Sequence, residues 1–219
     1  MTALAAERAI EVIHRPGRVP YREALDLQVA RRTAVENGEA SNALFTLEHA
    51  PVMTCGRHTK PEHLLHPPEA YQKAGIEVIE VDRGGDVTYH GPGQLTAYPI
   101  LNLAHWTQSV NWYLRQLEEV IILTLADFGL DAGRLEGYTG VWTGEGKIAQ
   151  IGIGVHRWVT FHGVAINVEP DMRHFAMIVP CGIPDKPVTA MNGLLGERVT
   201  VPQVAHKFAD KLLGHFARM

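Results

Sequence analysis

The sequence is poor in nucleophiles. Its 219 residues hold two cysteines, Cys55 and Cys181, and two serines, Ser41 and Ser109. Two cysteines cannot build a disulfide scaffold or a four-cysteine zinc site. Neither serine lies in a G-x-S-x-G turn, which argues against a serine hydrolase of that type. Charge of one sign is not in excess: 20 Lys and Arg stand against 24 Asp and Glu, a formal net charge of −4. That balance disfavours broad binding to nucleic acid or to an acidic membrane. No apolar run approaches the ~18 residues of a membrane span. Met1 to Ile10 carries Glu7 and Arg8 where a signal peptide has its apolar core, so the expectation is a cytoplasmic protein with reduced thiols.

What is present reads as one globular domain over residues 1–219, given the length and the absence of repeats or linkers. A short strand is expected at residues 8–14. Pro20 to Asn37 has helical spacing and ends before Gly38. Asn42 to His49 alternates as a half-buried strand does, and Ile76 to Val81 alternates strictly. Pro51 to Gly56 is a short strand or turn, and Pro67 to Ala74 a short helix. Arg83 to Gln94 is a loop or strand–loop hybrid, followed by a strand from Leu95 to Leu103. Ser109 to Phe128 is the longest helix, and Gly140 to Val168 holds several β runs. Thr200 with Gln203 forms a capping-box pattern that opens a last helix. The β segments succeed one another like hairpins, which predicts an α/β protein of the α+β kind, with a mixed, largely antiparallel sheet flanked by helices.

The chemistry has few places to sit. The loop Arg83-Gly-Gly-Asp-Val-Thr-Tyr-His90 lets backbone approach a ligand closely, and Arg83, Thr88, Tyr89 and His90 supply polar groups for its wall. It lacks the G-x-G-x-x-G of a dinucleotide site. Gly144 to Ile148 fails as a phosphate loop, because Val141 replaces its first glycine and Ile148 its Ser or Thr. Cys181 stands between Pro180 and Gly182, where the Gly182 N–H could meet an oxyanion. Cys55 follows apolar residues and reads as a packing residue. Cys55, His58, His63 and His66 match no common zinc spacing, so no metal is expected there. His162 reads as a core or pocket histidine.

Taken together, RGGDVTYHGPGQLTAYPI (Arg83 to Ile100), GKIAQIGIGV with FHGVAINV (Gly146 to Val168), and IVPCGI (Ile178 to Ile183) resemble the lipoyl(octanoyl) transferases. Order and spacing agree from about Asn42 to Val201, and Pro51 to Leu65 is similar to the family's N-terminal segment. The resemblance implies the fold of the biotin and lipoate protein ligase catalytic domain and no cofactor. It implies transfer of octanoyl from octanoyl-acyl carrier protein to a lysine of lipoyl domains, as in 2-oxoacid dehydrogenase complexes, or of glycine-cleavage H protein. By position, Cys181 matches the acyl-thioester cysteine and Lys147 its partner. Arg83, Gly84, Gly85, Asp86, Val87, Thr88, Tyr89 and His90 match one segment lining the acyl site. Gln150, Ile151 and Gly152 match a second, and Gly163, Val164 and Ala165 a third. Gln150 stands where the family more often has a small residue, and Cys55 where an aliphatic one is commoner.

The implied relay makes physical sense. Thioester exchange onto a thiol is nearly balanced, and an ammonium beside a thiol favours the nucleophilic thiolate. A lysine that has given a proton to the departing thiol can then accept one from the incoming amine. Each buried methylene of the acyl chain contributes ~0.8 kcal/mol to its binding. Arg57, Lys60, Arg157 and Arg173 are the basic residues available to an acidic carrier. Three other readings remain open at this stage: an ATP-dependent lipoate or biotin ligase, a non-catalytic binder of acyl chains or lipoyl domains, and a thiol hydrolase using Cys181 with His162.

Overall fold

The computed structural model describes residues 7–219, so the reading of Met1 to Ile10 falls mostly outside the described residues. Strand β1 (Ile10–Val19) pairs in parallel with β2 (Asn42–His49). It runs past the expected end because Pro16 and Gly17 are absorbed in a register shift between His14 and Arg18. Helix α1 (Tyr21–Glu36) lies between them, and Gly38 beyond its end has φ 73°. Strand β3 (Val52–Cys55), helix α2 (Pro68–Lys73) and strand β4 (Glu77–Glu80) follow as the sequence predicts.

Inside the glycine-rich loop the chain forms a short strand β5 (Thr88–His90), and β6 spans Gln94–Ile100. The expected continuation to Leu103 is instead a 3-10 turn, Leu103–His105, capped by the Asn102 side chain accepting from the Ala104 N–H at 3.1 Å. Ser109 caps α3 (Val110–Ala126), its hydroxyl accepting from the Trp112 N–H at 3.2 Å. Strands β7 (Gly133–Leu135), β8 (Tyr138–Thr143), β9 (Gly146–His156) and β10 (Val159–Asn167) form the predicted β-rich half. Two one-turn helices, α4 (Met172–Phe175) and α5 (Met191–Leu194), are too short to leave a helical period in the sequence. Helix α6 (Val201–Ala217) opens at Thr200, whose N–H donates to the Gln203 side chain at 2.8 Å.

The large sheet has seven strands in the order β1-β2-β6-β10-β9-β8-β7. Among the described residues its pairings are antiparallel apart from β1–β2. A smaller sheet, β4-β3-β5, holds one parallel and one antiparallel pair. One face of the large sheet packs Leu44, Leu95, Ala97, Val164 and Ile166 against α3 and α6. The other packs Ala43, Phe45, Leu47, Tyr98 and Phe161 with Ala24 and Val35 of α1. Both faces of β2 are therefore covered, and the half-buried reading of that strand is corrected: Asn42 to Leu47 are all buried. Polar residues on such a strand must find partners. Asn42 bonds the Glu7 carbonyl at 2.9 Å, and His49 bonds the Val19 carbonyl at 2.8 Å.

Candidate active site

A cavity of about 280 Å³ lies on the α1 side of the large sheet, walled by β6, β9 and β10 and by β5 of the small sheet. Lys147, near the start of β9, reaches it through an irregularity of pairing. Val141 pairs with Ala149 but Trp142 pairs with Lys147, which leaves Ile148 as an extra residue. A bulge of this kind reverses the in–out alternation of a strand. Ile148 and Ala149 are both buried in the core against α3 and α6, and Lys147 joins Gln150 and Gly152 on the cavity side. Gly140 on β8 makes room for the lysine stem: at its φ of 109°, a Cβ would lie 2.7 Å from Lys147 Cε and 2.6 Å from the Ala149 oxygen. The buried Lys147 ammonium donates to Cys181 Sγ at 3.3 Å and lies 5.3 Å from the centre of the Trp142 ring.

Cys181 occupies a tight turn, Pro180–Gly182, at φ 58° and ψ 18°. A non-glycine residue in that left-handed region is strained, so its surroundings must hold it there. The Cys181 N–H donates to the Val87 oxygen at 2.9 Å, the Gly182 N–H to the Val179 oxygen at 3.0 Å, and the Val179 N–H to the His63 oxygen at 2.9 Å. The expectation that the Gly182 N–H waits for an oxyanion is therefore corrected, because closing the turn consumes it. The turn also rests on Asp86. One carboxylate oxygen accepts from the Val87 N–H at 2.6 Å, and the other lies 2.7 Å from His63 Nδ1. A side chain at Gly182 would meet that second oxygen at 2.5 Å.

The remaining walls are unusually polar. Arg83 is buried, and its guanidinium donates to the Thr54 carbonyl at 2.7 Å, the Thr54 hydroxyl at 2.8 Å and the Gly84 carbonyl at 3.0 Å. Burial lowers its pKa from the usual value. Burial likewise pushes His90 down to about 3 and His162 down to about 4, so both rings are neutral at neutral pH. Burial raises Tyr21 to about 12. His90 Nδ1 lies 2.8 Å from the Gln94 side-chain oxygen. His162, at φ 57°, is held by its own N–H donating to the Gln28 side chain at 2.7 Å, with Nδ1 3.3 Å from the Tyr21 hydroxyl.

Of the residues predicted from sequence, Lys147, Cys181, Arg83, Gly85, Asp86, Thr88, His90, Gln150, Ile151, Gly152, Gly163, Val164 and Ala165 line this one cavity. Gly84, Val87 and Tyr89 do not. Alternation along β5 sends Thr88 and His90 inward, whereas Tyr89 turns to the opposite cluster, its hydroxyl 2.8 Å from His174 Nδ1. Val87 instead supplies the carbonyl that holds Cys181, and the Gly84 N–H bonds the Ile153 carbonyl at 3.1 Å. Sequence reading missed Tyr21, Thr96, Tyr98, Tyr138 and Ile183, which also line the cavity. Thr96 and Tyr98 share the inward parity of β6, a usable signal; Tyr21 and Tyr138 reach the site only through the fold. Cys55 is buried with Met53, Tyr71 and Phe175, as its packing role requires. Among the described residues no group of three or more His, Cys, Asp or Glu is placed to hold a metal. Arg57 and Arg173 are tied to Asp82 and Asp171 at the surface. No helix among the described residues is long and apolar enough to cross a membrane.

Residues 20–213 match the family described as the lipoyl protein ligase A/B catalytic domain. The chain is 47% identical to an octanoyltransferase of Solibacter usitatus, over 93% of this chain and 90% of that protein. It is 42% identical to an octanoyltransferase of Novosphingobium aromaticivorans, over 99% and 96% respectively. Among solved structures, lipoate-protein ligase A bound with ATP superposes with a TM-score of 0.77 at 19% identity, over 94% of this chain and 84% of that one. A bipartite lipoate protein ligase from Thermoplasma acidophilum, solved in a study of an archaeal lipoylation system with its E2 lipoyl domain, gives 0.71 at 17%, over 94% and 82%. At these identities the structural likeness establishes the fold.

Proposed function

The chain belongs to the lipoyl protein ligase A/B catalytic-domain family and is an octanoyltransferase; from that premise we propose that Cys181 carries the octanoyl group between two carriers while Lys147 manages the protons. The observation that carries this reading is the 3.3 Å contact between the Lys147 ammonium and Cys181 Sγ at the wall of the cavity. In the first half-reaction the sulfur attacks the thioester carbon of octanoyl-acyl carrier protein. The Cys181 S–C bond forms, the carrier S–C bond breaks, and the carrier leaves as a thiol with a proton from Lys147. In the second, neutral Lys147 takes a proton from the attacking lysine amine of a lipoyl domain or glycine-cleavage H protein. The amide N–C bond forms, the Cys181 S–C bond breaks, and Cys181 leaves as the thiolate beside the restored Lys147 ammonium. Such a relay requires a reducing compartment, as the cytoplasm provides.

An ATP-dependent ligase shares the fold but activates a free acid as an adenylate and has no use for a cysteine held against a lysine. The test is direct. Incubation with octanoyl-acyl carrier protein should add one octanoyl mass, localised by peptide mapping to Cys181, and adding a lipoyl domain should remove it. An unmodified Cys181, with turnover intact in Cys181→Ala, overturns the relay. A requirement for ATP with free octanoate would favour the ligase reading.

A further inference from the structure

Two walls grip the Lys147 side chain, and both belong to β8. A Cβ at Gly140 would lie 2.7 Å from Lys147 Cε and 3.4 Å from Nζ, and the centre of the Trp142 ring lies 5.3 Å from Nζ. Pairing is irregular along both edges of β8 at this point. Toward β9 the extra residue is Ile148; toward β7, Gly133 pairs with Trp142 and Leu135 with Tyr138. Arg134 of β7 therefore faces three residues of β8, Thr139 to Val141, with Gly140 in the middle at φ 109°. A bulge interrupts the ladder that otherwise fixes a strand, so Gly140 needs support from elsewhere.

That support comes from helix α3. Glu118 is 1% exposed, and its Oε1 accepts from the Gly140 N–H at 3.2 Å. Its other oxygen, Oε2, accepts from Arg115 at 2.6 Å and from Arg134 at 3.1 Å. A carboxylate buried so deeply is costly, and a well-packed apolar residue would serve the stability of the helix as well or better. What the carboxylate adds is a fixed acceptor. Two guanidiniums hold one oxygen, and the other holds the backbone along which the lysine stem lies. Glu118 does not line the cavity, so it reaches the chemistry through Gly140.

We propose that Glu118 is a positioning residue for the relay: its carboxylate fixes Gly140, and through Gly140 it sets the Lys147 ammonium against Cys181. The inference rests on the thioester relay, in which one ammonium must serve both the thiol and the departing carrier. Glu118→Gln keeps the size of the side chain but breaks the arrangement. The guanidiniums claim the amide oxygen, and the amide NH2 then faces the Gly140 N–H, donor against donor. The lysine stem loses its fixed wall, and the ammonium shifts by a fraction of an ångström.

The test is a double-mutant cycle on the full chain, with octanoyl-pantetheine thioester as the donor at saturating concentration. Intact mass spectrometry follows the growth of the Cys181 adduct. Its rate constant, unlike its amplitude, does not depend on how much of a variant is folded. Glu118→Gln should lower that rate constant about tenfold, short of the ~10²-fold of a 1 Å misplacement, with the half-saturating donor concentration unchanged. In a Lys147→Gln background the same substitution should change nothing further, because the group it positions is gone. Glu118→Met, which removes the acceptor altogether, should repeat both results. Glu119→Gln breaks the surface pair with Arg134, leaves the Gly140 N–H its acceptor, and should react as wild type. A wild-type rate constant in both Glu118 variants, the same loss in Glu119→Gln, or an equal factor with and without Lys147 overturns the inference and leaves the relay standing. Wild-type acylation in Lys147→Gln alone removes the lysine from the relay, and this inference falls with it.

Discussion

Cys55 and Cys181 carry the same thiol in two kinds of surroundings. Cys55 ends a regular strand, pairs in register with Glu80 and packs among Met53, Tyr71 and Phe175. Burial pushes its thiol pKa up, toward the unreactive form. Cys181 sits on a strained turn, half-buried at a cavity wall, with an ammonium at 3.3 Å. What sets the two thiols apart is backbone strain held in place by partners, and a charge delivered to one of them. Both come from distant elements. Val87 and Asp86 hold the turn, and the bulge at Ile148 delivers the lysine.

The sharpest way to break the comparison is to exchange the roles. Cys181→Ala should abolish the octanoyl adduct and cut transfer on the order of 10⁶-fold, as loss of a nucleophile does elsewhere. Cys55→Ala should keep both, which an adduct assay by mass spectrometry decides. Lys147→Gln, which removes the ammonium but not the cysteine, should lower the acylation rate by about 10²–10⁴-fold. An adduct forming at the wild-type rate would remove the lysine from the chemistry.

A subtler change tests whether Lys147 must be delivered in one position. Gly140→Ala adds one carbon against Lys147 Cε, and the displaced ammonium should lower acylation about 10²-fold. Gly144→Ala, with no atom near its added carbon, is the matched control and should act as wild type. The buried histidines give a pH signature: His90 and His162 line the cavity, and His49 lies 2.7 Å from the hydroxyl of Tyr98, which lines it too. His49, His90 and His162 are held neutral by burial, at about 4, 3 and 4. Unfolded, they titrate near ~6.5, so between those values the unfolded chain binds more protons than the folded one. Their contribution to stability is complete above ~6.5 and is lost as pH falls toward 4. Thermal unfolding followed by circular dichroism should show Tm falling by roughly 20 °C or more over that window. A flat profile would mean that the rings are already charged in the fold. The smallest effect belongs to Cys55: its Ala variant should lose about 1 kcal/mol of stability in urea, from packing alone.

Much of the fold was legible because local rules agreed with tertiary ones. Asn42–His49 matched its strand to the residue, the helix read over Ser109 to Phe128 spans Val110–Ala126, and Thr200 with Gln203 marked the last helix. Where prediction strayed, a tertiary contact had overruled the pattern. Alternation in β2 looked half-exposed because Asn42, Thr46 and His49 are polar, yet each is buried and hydrogen-bonded on a strand covered on both sides. The glycine-rich loop concealed β5, whose three residues are too few to show a period. Within it, the assignment of Tyr89 to the ligand wall failed on strand parity alone. The site residues could be named only through the resemblance of three motifs to the lipoyl(octanoyl) transferases. No spacing revealed that the Gly182 N–H is consumed, or that Tyr21 at the start of α1 reaches the same cavity.

Local sequence sets the inventory: two cysteines, one of them on a proline- and glycine-bound turn, a lysine thirty-four residues before it, and a β-rich frame flanked by helices. Tertiary structure decided which cysteine meets the lysine, which face of each strand lines the cavity, and that Tyr21 joins it from α1. The physical reason is the difference in range. Caps, turns and alternation are settled within a few residues, whereas strain, burial and a charge 3.3 Å away depend on strands that meet only when the sheets close.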